Sequence, residues 1–239
     1  MDHKVQNERW LRWSSCSLCE QRYHGVVKCA LGWACWKTYV GLPETDVTRR
    51  AAMNLLGNGL TAARHHEDAL SVREVELSML RRIGSPEGNI LGVQTNLAST
   101  YARLERFDEA LRMRRDVYSG RTKLNGEEHE QTLLAANNYA TSLLKLQRFE
   151  EAKSLLRKTL PVARRFLGES NDLTFQMGTN LAATLYRDSN AMLDDLREAV
   201  RTLENLARCA KRIFGGAHPL TVKIAVSYTH LTLPTNCVV

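Results

Sequence analysis

No stretch of this 239-residue chain approaches the roughly 18 uncharged apolar residues that a membrane span requires. The most apolar helix-length run, Gly25 to Leu42, is broken by Lys28 and Lys37, and Met1-Asp2-His3-Lys4 has no signal-peptide core behind it. A membrane partner is therefore set aside and a cytoplasmic location is expected. Also missing are a glycine-rich phosphate loop, a Ser/His/Asp or Cys/His constellation and a supported carboxylate pair, so the chain is not expected to be an enzyme. The net charge of +7 has no single focus. Such a diffuse balance favours acidic peptides and gives nucleic acid little to hold.

What the chain has instead is a period. Asn96, Asn138 and Asn180 stand 42 residues apart, and Gly84, Gly126, Gly168 and Gly215 step by 42, 42 and 47. A fixed period of this size signals stacked supersecondary units. Within each unit the apolar residues have helical spacing: Leu97, Tyr101 and Leu104 on a first helix, then Ala110, Met113 and Val117 on a second. Small residues recur where two helices must approach, at Gly57, Ala98, Ala140 and Ala182 and again at Ala69, Ala110, Ala152 and Ala199.

The order Asn-Leu-Ala, then Phe107-Asp108-Glu109-Ala110-Leu111 or Phe149-Glu150-Glu151-Ala152, resembles tetratricopeptide repeats. The 42-residue length, with Leu124-Asn125-Gly126-Glu127-Glu128-His129 and Phe214-Gly215-Gly216-Ala217-His218-Pro219, is similar to the kinesin light chain subtype. The resemblance implies an all-α, tetratricopeptide-type helix-hairpin superhelix at 47–222, with units near 47–88, 89–130, 131–172 and 173–222. The first unit departs most, since Leu55 stands where Asn is expected and Arg64-His65-His66 replaces the Gly-aromatic turn. Pro161 predicts a kink in the third unit's second helix, and the fourth unit carries five extra residues around Asp188 to Met192.

Seven residues after each repeated Asn comes a cation: Arg103, Lys145 and Arg187. Two helical turns take 7.2 residues, so each pair shares a helix face. Thr95, Asn137 and Thr179, one position before each Asn, extend the polar strip. The resemblance makes that face the concave groove, and these nine residues would then bind a short, acidic segment of another protein. The run Arg112, Arg114, Arg115 reads as a solvated face.

Residues 1–46 are different in kind. Six cysteines occur in the chain, and Cys16, Cys19, Cys29 and Cys35 crowd into twenty residues, which points to metal or core packing before disulfides. Cys16, Cys19, His24 and Cys29 have the spacing of a zinc knuckle, making zinc the one candidate cofactor, although Glu20 and Tyr23 replace the usual glycines. With Trp10, Trp13 and Tyr23 as stacking surfaces, such a knuckle would make a nucleic-acid binder. Trp, then CxxC, then an aromatic and Gly also looks like the closing end of a RING-variant finger, and the chain would then be the substrate-recognition part of a ubiquitin ligase. The third reading is an apolar helix from Val26 to Val40 that caps the repeats, with Cys29 and Cys35 as core residues. At the other end, 226–235 is β-branched, uncharged and without helical period, and resembles a translated sequencing adapter; 223–239 is accordingly read as a non-native tail.

Overall fold

The structure is a computed structural model, and it describes residues 10–232. Packing divides the chain into two units, Met1–Met113 and Arg114–Val239. Each consists of helices joined by tight turns, and among the described residues no strand forms beyond one isolated bridge between Ser15 and Arg22. No helix among them is long and apolar enough to cross a membrane.

The first unit opens with a tight turn in which Cys16 N–H donates to the Gln21 carbonyl and Tyr23 N–H to that of Ser14. Helix α1 (Gly25–Tyr39) follows. Only one stripe of it is covered: Cys35 is fully buried, and Cys29 and Trp36 pack on Leu56, Leu60 and Ala69, while Val26, Val27 and Trp33 remain exposed. Trp10 and Trp13 lie against the Tyr39 ring, with centroids 5.7 and 6.5 Å away. After the Pro43 break, Asp46 caps α2 (Val47–Ala62) by accepting from Thr48 N–H at 2.7 Å and Arg49 N–H at 3.4 Å. Helices α3 (His66–Arg82) and α4 (Glu87–Arg103) complete this body, with the start of α5 (Phe107–Asn125). Its core is Met53, Leu77, Leu80, Val93, Leu97 and Tyr101.

The second unit holds the end of α5 with α6 (Glu130–Lys145), α7 (Phe149–Leu167), α8 (Asp172–Arg187), α9 (Leu193–Phe214) and α10 (Pro219–Thr232). Phe175 is fully buried at its centre, edge-on to Phe214 at 5.6 Å. Ion pairs tie each hairpin to the next: Lys158 to Glu127, Arg165 to Glu128, and Arg157 to both Asp195 and Glu198. Helix α7 runs unbroken from Phe149 to Leu167 through Pro161, which is exposed. Residues 188–192 form the loop between α8 and α9, folded by Asn190 N–H onto Asp188 Oδ1 at 2.8 Å. Helix α10 extends to Thr232, and so runs into the 226–235 stretch that shows no helical period in the sequence. Residues 233–235 of the adapter-like stretch, and Cys237, lie outside the described residues.

The periodic glycines end helices. Gly168 and Gly215 close α7 and α9 at φ 89° and 82°, a conformation that an L side chain adopts only under strain. The turn inside each of the first three hairpins also takes positive φ, without glycine, at Arg64 (φ 66°), Glu105 (φ 60°) and Gln147 (φ 57°). These positions are 41 and 42 residues apart, so the strain is itself periodic. Glu105→Gly should therefore stabilise the protein by about 0.5–1 kcal/mol, read as a higher urea midpoint at unchanged slope.

Candidate functional site

The repeated Asn has a fourth member. Position 54, 42 before Asn96, is Asn54, so the first unit carries the residue that the sequence reading sought at Leu55. The offset of one residue comes from the turns at Arg64 and Glu105, which are 41 residues apart where those at Glu105 and Gln147 are 42. Asn54 and Asn96 line one cleft of the first unit, and Asn180 lines another in the second.

The second-unit cleft, of about 590 Å³, lies between α6 and α8 and the turns that follow them. Lys145 and Arg187 line it together with Thr141, Thr179, Asn180 and Tyr186. Both cations are exposed at the ends of their helices. Among the described residues that line this cleft the charged side chains are Lys145 and Arg187, and none is a carboxylate. Asn180 Nδ2 donates to Asn137 Oδ1 at 2.9 Å and to Thr141 Oγ1 at 3.3 Å, and Asn137 Nδ2 reaches Gln176 at 3.5 Å. Asn137 is thus buried as the support of Asn180 and does not form the open strip expected of it.

The remaining strip residues divide by role. Thr95 and Thr179 direct their hydroxyls back to the Leu91 and Phe175 carbonyls, both at about four residues' distance and within 2.9 Å. Arg103 is exposed at the end of α4, where its charge helps to hold the His66 imidazole below its ordinary range, behind the larger effect of burial. Asn138 is half-buried, and its backbone carbonyl accepts from Arg114 Nη1 at 3.2 Å.

That last contact corrects the reading of Arg114 as part of a solvated face. Arg114 also donates to Ser142 Oγ at 2.9 Å, and burial pushes its guanidinium below its ordinary value. Arg73 does the same in the first unit, donating to the Asn96 carbonyl at 2.5 Å and to Asn58 Oδ1 at 2.9 Å. The sequence does hold the signal: positions 58, 100, 142 and 184 are Asn, Thr, Ser and Thr, a second polar column with the same 42-residue period. Thr100 and Thr184 use it to bond the Asn96 and Asn180 carbonyls at 3.1 and 2.8 Å. An Arg in a helix interior looks like surface until the acceptors facing it are counted.

The four candidate metal ligands are not gathered. Cys16 and Cys19 meet in the tight turn, where the Cys19 and Leu18 N–H groups lower the Cys16 thiol below its usual value. His24 precedes the first turn of α1, and Cys29 is carried up the helix onto Leu56, Leu60 and Ala69. Among the described residues no three His, Cys, Asp or Glu side chains come together as a metal site needs. Trp10 and Trp13, the suggested stacking surfaces, are occupied by Tyr39. His129, another metal-capable side chain, caps α6 by accepting from Gln131 N–H at 3.1 Å.

Residues 89–165 match the family model of the tetratricopeptide repeat. Among solved structures, BtubC (BKLC) from P. vanneervenii is similar, at 16% identity and a TM-score of 0.62 over 85% of this chain and 89% of that one. The nearly identical TPR-like repeats of a Podosopora anserina protein named after the kinesin light chain superpose at a TM-score of 0.61, with 18% identity over 78% of this chain and 85% of that one. No curated protein matches the sequence. The fold is therefore of tetratricopeptide type, an all-α array of helix hairpins.

Proposed function

We propose that this chain is a non-catalytic protein-binding module, and that the cleft between α6 and α8 takes a short acidic segment of another protein. One observation carries the reading: Lys145 and Arg187 line a single cleft with Asn180. Two cations one helical hairpin apart suit two carboxylates on an extended segment, and the Asn180 amide with the Thr141 and Thr179 hydroxyls suits its backbone. Exposed ion pairs contribute only about 0.2–1 kcal/mol each, so affinity is modest and salt-sensitive.

The double variant Lys145→Glu, Arg187→Glu tests this. With a fluorescein-labelled oligoglutamate peptide, anisotropy should show at least about tenfold weaker binding and a flattened dependence on ionic strength. Unchanged affinity and salt slope would remove the assignment. Neither substitution touches the buried core, so the melting temperature serves as the control for folding.

A further inference from the structure

The first-unit cleft carries chemistry that an acidic segment does not use. Glu76 reaches it from α3 and is only 4% exposed, and its Oε2 is enclosed without a hydrogen-bond partner. Two guanidinia are near, and neither forms an ion pair with it among the described residues, although the Arg50 Nε is itself buried without a partner. Arg50, from α2, donates to Ser85 Oγ at 3.3 Å. Arg73, from the carboxyl's own helix, is spent on the Asn96 carbonyl, Asn58 Oδ1 and Thr61 Oγ1. The third wall, α4, presents only the neutral Gly88, Asn89, Gly92, Val93 and Asn96. Burial pushes the Glu76 carboxyl up to about 7 against the opposing pull of Arg73 and Arg50.

A carboxyl withdrawn from water with no cation in contact is the arrangement that a docking cation would relieve. The cleft, of about 320 Å³, has acceptors beside it. Asn89 gives its Nδ2 to Ser85 Oγ at 3.1 Å and so keeps its Oδ1 for another donor; Asn96 adds a second carboxamide, while the Asn54 Oδ1 already accepts from Asn58 Nδ2 at 2.9 Å. We propose that Glu76 is the recognition group of a second binding site, which takes the ammonium head of a lysine side chain from a partner protein between α2, α3 and α4. An ammonium offers three donors from one compact charge, one for Glu76 and two for the amide oxygens. A guanidinium is planar and broader, and would have to share the wall with that of Arg50. This site prefers the opposite charge to the α6–α8 cleft, and stands or falls independently of it.

The test is an NMR titration of the whole chain with Nα-acetyl-lysine N-methylamide, following the Gly88 and Gly92 amide signals, against the norleucine analogue that lacks the ammonium. The lysine probe should shift both signals. Its affinity should be about tenfold higher at pH 8 than at pH 6, because only the ionised carboxylate is competent and its fraction rises about tenfold across that range. Glu76→Gln should weaken binding by at least about tenfold and abolish the pH dependence while the chain stays folded. Equal shifts with norleucine, unaltered binding to Glu76→Gln, or an affinity indifferent to pH would each overturn the site. The Lys145→Glu, Arg187→Glu variant should bind the lysine probe as the parent does, which separates the two clefts.

Discussion

Raising the pH from 5 to 8 is expected to destabilise the first unit through one side chain. Glu76 sits at about 7 in the folded chain against an ordinary 4.5, because burial penalises its charged form. Between those values the folded state holds the proton and the unfolded state has released it, so stability is full below about 4.5, falls as the pH rises, and levels off above about 7. A shift of this size corresponds to about 3 kcal/mol, an upper figure because a partly opened cleft would let water in. Glu76→Gln removes the titration. Near pH 5 variant and parent should melt together, and near pH 8 the variant should melt roughly 6–12 °C higher. Parallel melting curves at both pH values would show that the carboxyl is already solvated or paired.

The second large effect is expected at Gly59. A Cβ built there would stand 2.7 Å from the Lys28 carbonyl oxygen and 2.9 Å from the Cys29 Cα, backbone atoms of α1 that cannot swing aside. The approach is reciprocal, since a Cβ at Gly32 would meet the Leu55 carbonyl oxygen at 3.0 Å. Two glycines facing each other's backbones are what let α1 lie this close to α2. Gly59→Leu should therefore lift α1 away, at a cost of about 3 kcal/mol or more, well beyond the roughly 1 kcal/mol that helix propensity returns. Cys35 reports the outcome: it is fully buried and its thiol is pushed up to about 11. Freed to its ordinary 9.0 it should react with a disulfide reagent at least about tenfold faster, since the gain in thiolate is partly offset by its lower nucleophilicity, and the site is identified by mass spectrometry of the labelled peptide. A Cys35 that stays protected in Gly59→Leu would mean that the helices part without exposing it.

The sequence made the hairpins legible because burial repeats. Leu56, Leu97, Leu143 and Leu185 are each 2% exposed or less, and the alanines at 69, 110, 152 and 199 are completely covered. Side chains set by long-range pairing were harder to read. Asn137 looks like the lesser neighbour of Asn138 until Asn180 is brought against it. Arg114 reads as surface until Asn138 and Ser142 face it. Glu76 sits among polar neighbours in a helix that periodicity alone would allow to point outward, and only α2 and α4 closing over it make it buried. The cysteine spacing at 16, 19, 24 and 29 is a different case, since spacing along the chain takes no account of the helix that begins at Gly25 and sets Cys29 against Leu56, Leu60 and Ala69.

The bond from Asn180 to Asn137 has a mechanical consequence. The amide that lines the α6–α8 cleft is also the stitch that holds α8 to α6. On the proposed reading, a guest that took up the Asn180 amide would compete with that bond, and so would loosen the seam between neighbouring hairpins even with no backbone atom displaced.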